Sequence, residues 1–232
     1  MVNKHEQTNP QTEENFSKSE AFFLKNKKII AIALLAIIAV VVGTSLYKSR
    51  VLEPKENKAS TAIAKGQEYF NNEQFDKALN GDGASFPGFV KMASQHSGTK
   101  AGNLANLYAG LCYANMDKWA EAVQHLSSFS AKDDAMVSPA ALGALGNAYA
   151  HVNELDKAVE TLKKAAQKAD AKAEEKTNNS LSPTFLVQAA EILESQGKKA
   201  EALKIYQEVK RKYVNAMVSM EIDKYIERAT AE

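Results

Sequence analysis

Along most of the chain, apolar residues recur every three or four positions, the spacing of helices that bury one face. Two stretches break that pattern. Met1 to about Glu20 is polar, with almost nothing to bury, so a disordered tail is expected over residues 1–24. Ile29–Leu46 (IIAIALLAIIAVVVGTSL) carries no charge at all. About 18 residues at 1.5 Å each cover roughly 27 Å, close to the thickness of a hydrocarbon core. A core helix would keep a polar stripe over five turns, so this run predicts a transmembrane anchor over residues 25–48. Lys25, Lys27 and Lys28 stand at one end, and Tyr47, Lys48 and Arg50 at the other.

The run is longer than the apolar core of a cleaved signal peptide, and no Ala-x-Ala site follows promptly. It reads as an uncleaved signal anchor. The denser lysine cluster lies on the amino-terminal side, before a large domain. That asymmetry predicts the amino terminus in the cytoplasm and the domain outside. Residues 49–59 are expected to form a short polar link containing Pro54.

Helical periodicity then runs over residues 60–232, and it repeats. Four units align on a small residue, a large residue three positions on and an alanine twelve positions on. They are Gly66, Tyr69 and Ala78; Gly110, Tyr113 and Ala122; Gly146, Tyr149 and Ala158; and Ala190, Leu193 and Ala202. A small residue at a helix crossing permits close approach, and the large neighbour fills the space beside it. The units are spaced by 44, 36 and 44 residues.

The first long interval holds Asn80-Gly81-Asp82-Gly83 and Phe86-Pro87-Gly88, which should end the helix begun at Gln74, and then a separate helix over Phe89–His96. In the second, the Lys/Glu-rich helix Asp156–Lys176 should show a solvated face with local ion pairs. It breaks at Asn178-Asn179-Ser180 before Pro183 opens the next helix. Met217–Ala229 is expected to cap the end.

Composition adds two exclusions. With 29 basic and 28 acidic residues the chain has no strong field for nucleic acid. The single cysteine, Cys112, rules out an intramolecular disulfide and reads as a buried thiol. His5, His96, His125 and His151 are scattered rather than paired for a metal. One aspartate in Asn80–Gly83 cannot supply a calcium site. No phosphate loop, hydrolase elbow or catalytic carboxylate pair is present, so neither cofactor nor enzymatic activity is expected.

The repeating spacing resembles the tetratricopeptide repeat family, best in LGALGNAYAHVNELDKAVETLKKA (Leu142–Ala165). The resemblance implies an all-α fold. It is an α–α superhelix of about four hairpins with a carboxy-terminal capping helix, behind one transmembrane helix. It also implies a concave groove for polypeptide partners, lined by the first helix of each pair. Matched unit by unit, Gln67, Asn71, Leu104, Leu107, Leu111, Asn115, Asn147, His151, Glu191 and Glu194 face that groove, with the leucines the first to be claimed by the core. Asn147 matches an asparagine of the family's carboxylate clamp, but the basic partners are missing, so acidic peptide termini are not the expected ligand. Trp119, at a turn between paired helices, is read as packing.

The layout of one anchor followed by degenerate repeats is similar to the YfgM-like family of ancillary translocon subunits. The phrases AGNLANLYAGLCYA, PAALGALGNAYA and IDKYIERA resemble its Bacteroidetes-type members. That resemblance implies an inner-membrane protein with periplasmic repeats, near the Sec translocon and envelope chaperones, or else a scaffold for another envelope assembly.

Overall fold

A computed structural model describes residues 10–231, with side chains from Phe22 onward except at positions 52, 55, 57 and 58. Among the described residues there are eleven α-helices and no strand. The chain divides into two compact units, Met1–Pro54 and Lys55–Glu232.

The first unit is dominated by α1 (Pro10–Tyr47), followed by a π-helical turn, Lys48–Leu52. Part of the tail expected to be disordered is therefore helical. Residues 1–9 lie outside the described residues, and from Pro10 the chain is helix. Proline suits a first turn, and a helix once nucleated propagates through Glu, Gln and Lys at little expense. Phe22–Val51 is long and apolar enough to cross a membrane, and its most apolar 18-residue window has a mean hydropathy of 2.9. None of this window is buried, and Ile29, Leu35 and Val40 stand exposed.

The expected link is helical too. α2 (Glu53–Asn71) begins within it, directly after the π-helical turn and with Pro54 as its second residue.

The second unit is built from helical pairs. α2 precedes the short α3 (Phe75–Asn80), and α4 (Phe89–Gln95) is the inserted helix. The next pairs are α5 (Lys100–Asn115) with α6 (Trp119–Ser128), α7 (Val137–His151) with α8 (Leu155–Lys172), and α9 (Ser182–Ser195) with α10 (Lys199–Lys212). After a 3-10 turn at Met217–Met220, α11 (Ile222–Thr230) packs on α10, so the final helix is shorter than the 217–229 expected.

Each pair turns in the same way. Glu73, Asp117, Asn153 and Gly197 take positive φ, at 57°, 56°, 61° and 75°. The next N–H then donates back to the carbonyl of the large residue in each unit: Gln74 to Tyr69, Lys118 to Tyr113, Glu154 to Tyr149 and Lys198 to Leu193. This six-to-one closure ends a helix by satisfying a carbonyl that the helix leaves free.

The crossings explain the small residues. A β-carbon at Gly110 would lie 2.5 Å from Leu126 Cγ, and one at Gly146 would lie 2.7 Å from Leu162 Cγ. Ala78, Ala122, Ala158 and Ala202 are fully buried opposite. In the first unit the second helix stops at Asn80, and Phe86 and Phe89 fold back over Gly66 instead.

Asp82 holds that returning loop. Its carboxylate accepts the N–H groups of Ala84, Ser85 and Phe86 and the hydroxyl of Tyr69, and it pairs with Lys65. These donors, the Phe86 and Ala84 amides foremost, hold its carboxyl well below the usual carboxylate range. Asn80–Gly83 is thus a structural turn.

Polar ties join successive pairs. Glu56 of α2 accepts the N–H groups of Lys100 and Ala101, and Thr99 accepts that of Gly102. The first turn of α5 is capped from 44 residues away. Asp170 of α8 plays the same part later, accepting from the Asn178 N–H, Ser182 Oγ, Lys212 Nζ and Tyr213 OH. The Asn178 bond draws the chain off its helical path, so α8 ends at Lys172 rather than Lys176. That helix has the ion pairs expected of it, Lys157 with Glu154 and Lys164 with Glu160. It also has a buried face of Ala158, Leu162, Ala165 and Ala169.

Candidate functional site

Carrying the spacing of 44, 36 and 44 residues through the first helices gives two columns of side chains. One is Gln67, Leu111, Asn147 and Glu191; the other, one turn on, is Asn71, Asn115, His151 and Ser195. The columns lie on α2, α5, α7 and α9. Where α7 faces α9 they open a groove of about 500 Å³. Its walls include Asn147 and His151 from α7, Gln188, Glu191 and Ile192 from α9, and Trp119 from the start of α6.

The groove wall is partly aromatic. The Trp119 and His151 rings lie face to face, with centroids 3.6 Å apart and planes within 4°. Trp119 also packs on the core around Leu126 and Leu145. The packing expected of it is present, and its edge of the groove is an addition. Asn147 and Gln188 contribute amides, and the Gln188 Oε1 is buried with no hydrogen-bond partner among the described residues. A buried acceptor without a donor is unfavourable by about 1–3 kcal/mol.

Glu191 is the one charged residue on these walls. Its nearest cation is Arg228 of α11, 3.7 Å away, and that guanidinium is already committed. Arg228 donates through Nε and Nη2 to Glu194, whose carboxylate also accepts from the Tyr206 hydroxyl at 2.6 Å. The Arg228 guanidinium holds the Glu194 carboxyl below its ordinary range; burial first, and then that carboxylate, push the Tyr206 hydroxyl up. Glu191 keeps a side chain 45% exposed.

The structure thus brings together Asn147, His151 and Glu191 and places the other expected residues elsewhere. Leu107 is buried in the core between α5, α6 and α7, and Leu104 and Leu111 pack against it, so leucines expected in the groove serve the interior. Gln67 donates to the Tyr108 hydroxyl at 2.9 Å, and Asn115 donates to the Leu111 carbonyl of its own helix. Asn71 is exposed at the end of α2. Glu194 falls outside both columns and ties α9 to α11. Ser195 and Gln188, absent from the expected set, are the in-register counterparts of His151 and Ala144, so the same spacing could have found them.

Other candidates for chemistry are structural. Burial alone pushes the Cys112 thiol up to about 12, leaving it protonated and unreactive inside the first cluster. His125 stacks on Tyr113, and its Nδ1 lies 3.1 Å from Asn106 Oδ1; burial lowers its pKa and keeps it neutral.

Sequence models of the tetratricopeptide repeat match residues 104–133, 141–176 and 185–216. These segments are α5–α6, α7–α8 and α9–α10 with their turns. Those three segments carry tetratricopeptide repeats. No curated protein matches it at the level of sequence. Repeats of this kind make protein-interaction modules, so the groove between the third and fourth units of the tetratricopeptide array is a candidate for a protein partner.

Proposed function

We propose that this protein is a membrane-anchored interaction module whose groove between α7 and α9 holds segments of other polypeptides. In this reading it acts outside a bacterial inner membrane as an adaptor or chaperone beside the Sec translocon. The observation that carries the binding half is the groove itself, where amides, an aromatic stack and Ile192 line one open channel. Such walls suit a peptide, whose backbone needs donors and acceptors and whose side chains need apolar contact. The anchoring half is supported by Phe22–Val51, apolar and unburied. The lysine cluster before the span supports outward repeats.

A second reading, a scaffold subunit of another envelope assembly, is favoured by a different observation. Val214, Met217 and Met220 near the carboxy-terminal end of the array are 68%, 82% and 80% exposed. Three large apolar side chains left in water suit a folded partner better than a passing chain.

In-cell photo-cross-linking from Asn147 and from Met217, with mass spectrometry of the adducts, separates the two. Translocon subunits or many unfolded exported proteins captured from Asn147 are the expected result. One recurrent folded partner captured from Met217, with nothing from Asn147, supports the scaffold. Partners from the cytoplasm alone contradict the orientation.

A further inference from the structure

We infer that the groove selects polypeptide segments carrying a lysine or arginine, with the cationic head at Glu191 and the side-chain stem along the aromatic wall. The inference rests on the reading of the groove as a peptide site and adds the chemistry of its occupant.

Three observations converge on a cation. The lining contains one charge, and it is negative. The cation nearest Glu191 is 3.7 Å off and held by Glu194 through two nitrogens, so the Glu191 carboxylate still has acceptor capacity for an incoming donor. On the same lining, the Trp119–His151 stack offers a flat aromatic surface on which an aliphatic stem packs.

The remaining lining explains why the occupant is a peptide rather than a free amine. Asn147 and Gln188 line the groove from α7 and α9, and each carries an amide. An extended backbone presents an N–H and a C=O at each residue, and would pair with both amides while its side chain reaches Glu191. An acidic segment would instead set a carboxylate against Glu191, where the neighbouring cation, Arg228, is already held by Glu194.

The test uses the full chain in lipid nanodiscs and Trp119 as reporter, since it is the only tryptophan. Three peptides of one apolar-polar background, with Lys, Gln or Glu at the centre, are titrated while its emission is followed. The lysine peptide should bind about tenfold more tightly than the glutamate peptide and about threefold more tightly than the glutamine peptide. Glu191→Gln, an exposed and isosteric change, should abolish the threefold preference without changing helicity. Equal binding of all three peptides, or a lysine preference that survives Glu191→Gln, overturns the inference and leaves the groove as a peptide site. If no peptide moves the Trp119 emission, the peptide-site reading fails and takes the inference with it.

Discussion

Three of the four turns place a non-glycine residue in the left-handed region, Glu73, Asp117 and Asn153, while the fourth uses Gly197. A β-carbon is unfavourable there by about 1–2 kcal/mol, least for asparagine. Glu73→Gly should therefore stabilise the domain by about 1 kcal/mol in urea unfolding, and Gly197→Ala should destabilise it by about as much. Asp170 carries a different kind of load. Burial would raise its pKa, but the Asn178 amide, the Lys212 ammonium and the Ser182 and Tyr213 hydroxyls outweigh that and hold it low. Because the folded value lies below the unfolded one of about 4, the stabilisation is complete above that pH and is lost as pH falls through the folded value. Asp170→Asn should lower stability at pH 7 by about 3 kcal/mol and flatten the acid limb of the stability profile.

At the scale of elements, the helical pairs were legible because close packing imposes a period. Gly110 and Gly146 stand where they do because Leu126 and Leu162 leave no room for a side chain. The early end of α3 was legible from Asn80-Gly81-Asp82-Gly83, since Gly81 takes a φ of 96°. Glu56 and Asp170 left no such trace. Each reaches partners more than 40 residues away, and a single contact across a turn of the array has no period. The groove was half legible for the same reason. Asn147, His151 and Glu191 follow the register, whereas Glu194, which does not, was claimed by Arg228. Trp119 was read for its packing, and its stacking on His151 depends on how neighbouring pairs sit. The cap from Glu56 gives a prediction at this scale. Glu56→Ala frees two N–H groups at the start of α5 and should destabilise by about 1–2 kcal/mol, with faster hydrogen exchange confined first to Lys100 and Ala101.

At the scale of the molecule, the two compact units treat their apolar side chains differently. α1 keeps its apolar side chains outside, whereas Lys55–Glu232 buries its own in three clusters that follow the stacked pairs. Such an array is expected to draw its stability from neighbouring pairs rather than from α1. Removing residues 1–54 should leave a soluble, helical protein that unfolds cooperatively in urea. A fragment that aggregates would mean that the array depends on the anchor. On the function proposed above, the array holds its partners in the groove between α7 and α9. The most direct test compares photo-cross-linking of the full chain in cells from Ile192, on the groove wall, with that from Lys164, exposed on α8 away from the groove. Polypeptide adducts should form from Ile192 and be rare from Lys164. Adducts from Lys164 with none from Ile192 would contradict the account and move the working surface to the outer helices.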